Sequence, residues 1–82
     1  MNWYQKIKLA NFPVFKERIF IKKLNKLGCF LNRSKGSHQI WTCPGNKILT
    51  IPIHGAGDVN QGTAQKIITQ DLGMNIRDFL NL

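Results

Sequence analysis

The chain has 82 residues and a mass of 9.4 kDa, which is room for one small domain. A chain of this size buries roughly 60% of its unfolded surface, enough for one core but not for a TIM barrel, a kinase or a Rossmann unit with a partner domain. Twelve basic residues against four acidic ones give a net charge of +8, and the excess is lopsided: ten Lys or Arg and the lone Glu17 lie in residues 1–47, two basic and three acidic residues in 48–82.

A basic half beside a near-neutral half points to a polyanionic partner, nucleic acid first and an acidic protein second. No apolar run approaches the ~20 residues of a membrane span, and no signal-peptide pattern follows Lys6 and Lys8, so a cytoplasmic protein is expected. Cys29 and Cys43 form no Cys-x-x-Cys pair, and only His38 and His54 could complete a metal set with them. Two ordinary thiols in a reducing compartment are therefore expected, with no zinc and no other cofactor.

In chain order, residues 1–14 read as an N-terminal extension. They are too apolar for a loose tail, and Pro13 breaks any helix begun there. Residues 15–82 form the single domain. Over 15–27, Phe20, Leu24 and Leu27 recur at helical spacing with Ile21 beside them, while Lys16, Lys22, Lys23 and Lys26 fall on the opposite arc. That basic arc reads either as a solvated face or as a phosphate-facing stripe. Gly28 suits a left-handed cap.

Three strands are predicted next, over 29–33, 37–43 and 47–54, the last two joined by the turn Pro44-Gly45-Asn46. Pro52 cannot donate to a ladder, so the third strand should lie at an edge or end its pairing there. Asn60 is a candidate N-cap for a helix over 61–72 that buries Ala64, Ile67, Ile68 and Leu72 and stops at Gly73. Asn75 with Asp78 suits the start of a short last helix. The order is α-β-β-β-α with a short terminal helix.

The segment Arg33-Ser34-Lys35-Gly36-Ser37-His38 puts two cations, a glycine, a hydroxyl and an imidazole into one tight connection. Gly36 lets the backbone approach an anion, and its flanking N–H groups can point at it. His38 and His54 come to the same end of the sheet. They share a face if Ile40 lies opposite Thr50, and point apart if Ile40 lies opposite Ile51. The apolar match favours the second register. Trp41 either helps hold RNA or belongs to the core. The acids show no spacing suited to a two-metal site.

Taken in order, Leu24-Asn25-Lys26-Leu27-Gly28, the segment Arg33–His38, Ile51-Pro52-Ile53-His54, Gly62-Thr63 and the closing 71–80 stretch resemble the HicA (YcfA-like) toxins, mRNA-cleaving partners of HicB antitoxins. The resemblance runs from about Lys16 to Leu82. It implies an α+β fold like the double-stranded-RNA-binding domain, with helices on one face of a three-stranded antiparallel sheet. It also implies RNA cleavage without metal, a HicB-like antitoxin as partner, His38 as catalytic residue and His54 in a supporting or structural role. Two departures stand out: Gln39 replaces a frequent second histidine, and Asn60-Gln61-Gly62-Thr63 replaces Lys-Pro-Gly-Thr.

RNA carries its own nucleophile, so a metal-free cleaver needs a base near the 2′-hydroxyl and cations for the charge that builds on phosphorus. Imidazole titrates near neutral pH and suits either proton-transfer role. On this reading His38 is the general acid/base, while Arg33, Lys35, Gly36 and Ser37 hold the phosphate. Lys22, Lys23 and Lys26 extend the RNA contact. Two rival readings use the same residues: a non-catalytic RNA-binding module, and a basic adaptor for an acidic protein.

Overall fold

The computed structural model describes residues 12–55 and 57–82. Residues 1–11, most of the expected N-terminal extension, lie outside the described residues. Phe12, near its end, is buried in the core against Phe15.

The chain begins with β1 (Phe15–Lys16) and α1 (Glu17–Lys26), followed by the strands β2 (Phe30–Lys35), β3 (His38–Cys43) and β4 (Lys47–Pro52). Then come β5 (Asp58–Val59), α2 (Gln61–Lys66), a π-helical turn (Ile67–Asp71) and α3 (Ile76–Leu80). The antiparallel sheet has the order β2-β3-β4. The predicted α-β-β-β-α layout is therefore present, with one addition: β1 and β5 form a two-residue antiparallel pair, Phe15 opposite Val59 and Lys16 opposite Asp58.

Local chemistry sets the boundaries. After α1, Gly28 adopts φ +89°. The Gly28 N–H donates to Asn25 O and the Cys29 N–H to Leu24 O, both at 3.0 Å. This is the Schellman pattern, and it satisfies two helix carbonyls. A side chain there would also press on Pro44 Cγ, 3.3 Å from the position of a Cβ. Asn60 and Asn75 cap their helices as expected, accepting from the N–H groups of Thr63 and Asp78 at 3.1 and 3.0 Å. The second helix is not uniform. At its end the Leu72 N–H reaches Ile67 O at 2.8 Å, a five-residue step. β4 is an edge strand ending at Pro52, as suits a residue with no N–H to donate, and one further bond runs from the Ile53 N–H to Ser37 O at 2.7 Å.

The helices cover one face of the sheet. Phe20 and Leu24 of α1, Ala64, Ile67 and Ile68 of the second helical segment, and Ile76 and Phe79 of α3 share one core with Trp41, Leu49 and Ile51 of the sheet. Phe15, Phe20 and Phe79 form its aromatic centre, with ring centroids 5.1–5.5 Å apart.

Two expectations are corrected. Cys29 and Cys43 are joined in a disulfide, with Cα atoms 4.0 Å apart. The strands explain the pairing: Phe30 lies opposite Thr42, so the next pair outward is Cys29 with Cys43. The strand register also differs from the one favoured by apolar matching. Ile40 lies opposite Thr50, while Trp41 lies opposite Leu49 and Gln39 opposite Ile51. The short turn fixes Cys43 against Lys47, and this register sends Trp41, Leu49 and Ile51 to the buried side.

Candidate functional site

The sheet face away from the helices is open. Directly paired residues of an antiparallel sheet share a face, so the register fixes what stands on it. One row across the three strands is Lys35, His38 and Pro52. The next is Arg33, Ile40 and Thr50, and the third is Phe30, Thr42 and Ile48. Lys35 is thus the direct cross-strand neighbour of His38, with Arg33 one row along.

This arrangement depends on an irregularity that strand alternation does not reveal. Leu31 pairs with Trp41 and Arg33 with Ile40, so β2 carries one extra residue, Asn32. Without that bulge Ser34 would stand opposite His38, and Arg33 and Lys35 would turn toward the helices. Bulges re-aim side chains in this way. Asn32 Nδ2 donates to Thr42 Oγ1 at 3.2 Å, which holds the extra residue on the open face.

Gly36 and Ser37 form a two-residue loop between Lys35 and His38. Gly36 sits at φ +60° with nothing within 4 Å of the position of a Cβ. Glycine first in a two-residue hairpin loop is a favoured hairpin pattern, and here it leaves the backbone accessible beside His38. Arg33, Lys35, Ser37 and His38 are all exposed. Among the described residues no carboxylate pairs with Arg33 or Lys35.

The lysines of α1 are placed elsewhere. α1 packs through Phe20 and Leu24 on the covered face, so Lys22 and Lys26 do not share a face with His38. Lys23 Nζ is held by the C-terminal segment, donating to Leu80 O at 3.0 Å and Leu82 O at 3.1 Å. Trp41 is core: it is buried, and its indole N–H donates to Gln39 Oε1 at 3.1 Å. Gln39, the departure noted in the sequence, is thereby turned to the covered face.

His54 lies just past the end of β4. The Ile53 N–H donates to Ser37 O at 2.7 Å, which ties this segment to the Gly36-Ser37 loop. The His54 backbone is then taken up by Glu17, the one buried charged residue among those described. Glu17 accepts the N–H of His54 at 2.8 Å, of Gly55 at 3.0 Å and of Gly57 at 3.2 Å. The His54 N–H is the main reason the Glu17 carboxyl is held below its usual pKa. Burial opposes the shift, while Gly57, Gly55 and the charge of the His54 imidazole add to it. Sequence reasoning missed Glu17, although it is the only acid in residues 1–47. A shallow cavity beside this loop is lined by Lys16, Glu17, Arg18, Gly55 and Gly57. His38 does not line it.

Among the described residues no group of three His, Cys, Asp or Glu is placed to hold a metal ion. No helix among them is long and apolar enough to cross a membrane.

A helix, a three-stranded antiparallel sheet and covering helices, with two basic residues and a histidine on the strands that flank a Gly-Ser hairpin loop, define a small α+β domain of the double-stranded-RNA-binding type. The family model for the HicA toxin of bacterial toxin–antitoxin systems matches residues 18–73. The chain belongs to the HicA toxin family, which makes it the toxin of such a pair and implies an antitoxin as its partner. No curated protein matches the chain at a significant level.

Proposed function

We propose that this toxin is a metal-independent endoribonuclease that cuts mRNA, with His38 as its general acid/base. The observation that carries this reading is the cross-strand pair Lys35–His38, with Arg33 one row along on the same open face. The face offers cations and an imidazole and bears no carboxylate, so it suits a phosphodiester better than a metal ion.

In the reaction His38 takes the proton of the 2′-hydroxyl as the 2′-oxygen attacks phosphorus. Lys35 and Arg33 stabilise the charge that builds on the non-bridging oxygens. The accessible backbone at Gly36 and the Ser37 hydroxyl add donors on the same side. The P–O5′ bond breaks, and the 5′-oxygen collects a proton from imidazolium or water. The products are a 2′,3′-cyclic phosphate and a 5′-hydroxyl. His54 has a structural role, its backbone N–H held by Glu17 next to the Ile53 N–H that bonds Ser37 O. Lys22 and Lys26 contribute long-range attraction for RNA from the other side of the domain. In the cell the toxin acts in the cytoplasm, restrained by a HicB-like antitoxin.

The test is cleavage of a labelled single-stranded RNA in EDTA by antitoxin-free protein. His38→Ala should lower kcat by about 10²- to 10⁴-fold while RNA affinity is kept. A 2′-deoxy nucleotide at the scissile position should block cutting there. If wild type and His38→Ala bind RNA equally and neither cuts, the chain is an RNA-binding module. If neither binds RNA and the antitoxin alone is bound, it is a basic adaptor.

A further inference from the structure

The open sheet face has a second end that phosphate chemistry does not use. In its third row Phe30 and Ile48 flank Thr42, and the two apolar side chains are 58% and 55% exposed. A single exposed apolar residue needs no explanation. Here two of them share one row, on the same face as Arg33, Lys35 and His38. Successive rows are two residues apart, so Phe30 stands about 14 Å from the His38 row, with Arg33 between them. Phe30 lies on an edge strand, where a planar group can approach its ring without meeting a covering helix.

We infer that Phe30 is a base-stacking platform for unpaired RNA, seating a base a few nucleotides from the phosphate held by Lys35 and His38. The inference rests on the ribonuclease reading above and adds a substrate subsite to it. Open sheets that display aromatic side chains bind single-stranded RNA by stacking bases on them. Charge decides the occupant. A strand of RNA that lays a base on Phe30 can run its backbone past Arg33 to Lys35, and each element of that path matches one feature of a nucleotide. The subsite selects unpaired RNA, because a base held in a duplex offers no free face.

The experiment measures binding of a fluorescein-labelled, unstructured oligoribonucleotide, and of the same sequence as a duplex, to full-length antitoxin-free protein. The parent carries His38→Ala so that the probe survives. Phe30→Ala and Phe30→Leu should each weaken single-strand binding by about five- to hundredfold, while Phe30→Trp keeps it and duplex binding changes little. Melting temperatures of all three should match the parent, since Phe30 is exposed. If Phe30→Leu binds as tightly as the parent, stacking is refuted. If the variants bind RNA normally but lose affinity for the antitoxin, the row is a protein-docking surface and the inference falls while the ribonuclease reading stands. If the His38→Ala parent binds no RNA, the ribonuclease reading falls and takes the inference with it.

Discussion

The Asn32 side-chain amide donates to Thr42 Oγ1 across 3.2 Å, at the point where β2 gains one residue over β3. That bond holds the bulge that turns Arg33 and Lys35 onto the face of His38. Asn32→Ala removes the tie but not the extra residue. An exposed hydrogen bond contributes only about 1 kcal/mol, so the fold should survive. RNA cleavage should fall severalfold as the two cations lose their fixed direction. Deleting Asn32 is the sharper experiment. It leaves Leu31 opposite Trp41 and Arg33 opposite Ile40 in a regular ladder, so Arg33 and Lys35 keep their face. Deletion should retain RNA binding. A folded deletion variant that has lost binding would show that the bulge does more than set the phase.

Salt dependence separates the cations. Each phosphate contact with a single strand contributes about 0.7 to the slope of log K against log salt. Lys35→Ala should lower the slope by about that amount. Lys22→Ala should lower it by clearly less, because α1 lies on the other side of the sheet from His38 and acts on the RNA only at long range. Lys23→Ala should act on stability instead, since its ammonium is held by the carbonyls of Leu80 and Leu82. The reverse order for Lys35 and Lys22 would move the bound RNA to the helical face.

The features that local chemistry dictates were legible in the sequence: the caps at Asn60 and Asn75, the left-handed stop at Gly28, and the edge strand ended by Pro52. Each needs only a residue type and its near neighbours. The closeness of Arg33, Lys35 and His38 was also legible, because one tight connection holds them; their common face was not, since it depends on the bulge. Four features were not. The bulge at Asn32 carries no composition signal. The disulfide follows from a register that spacing alone does not give. The β3–β4 register was misjudged because matching Ile40 with Ile51 ignores which face Trp41 must bury. Glu17 reads as an ordinary first-turn acid, and its three partners are 37–40 residues away.

The Cys29–Cys43 disulfide closes a loop of 14 residues between the start of β2 and the end of β3. A cross-link of that span stabilises by about 3 kcal/mol through the unfolded chain. Adding dithiothreitol, or making Cys29→Ser with Cys43→Ser, should lower the denaturant midpoint correspondingly without changing the sheet, whose ladder does not depend on the bond. Thiol alkylation before and after reduction counts the free cysteines. Two free thiols before reduction, or identical midpoints with and without reductant, would show that the cross-link plays no part in stability.

Glu17 makes stability depend on pH in a direction its contacts fix. Its carboxylate is held below the ordinary value of 4.5, first by the His54 N–H. The unfolded chain therefore binds a proton at Glu17 more readily than the folded one. Its contribution is fully present above about pH 4.5 and is lost as pH falls through the lower folded value. Glu17→Gln keeps one oxygen acceptor but cannot serve all three N–H groups as an anion. At neutral pH the variant should unfold at a lower denaturant concentration than wild type, and the gap should close as both are titrated below pH 4.5. A gap of equal size at neutral and acid pH would mean that the charge on Glu17 is not what holds the loop. Because that loop is joined to Ser37 through the Ile53 N–H, the variant should also raise KM for RNA at neutral pH, with kcat for bound substrate less affected. A fall confined to kcat would place Glu17 in the chemistry rather than behind it.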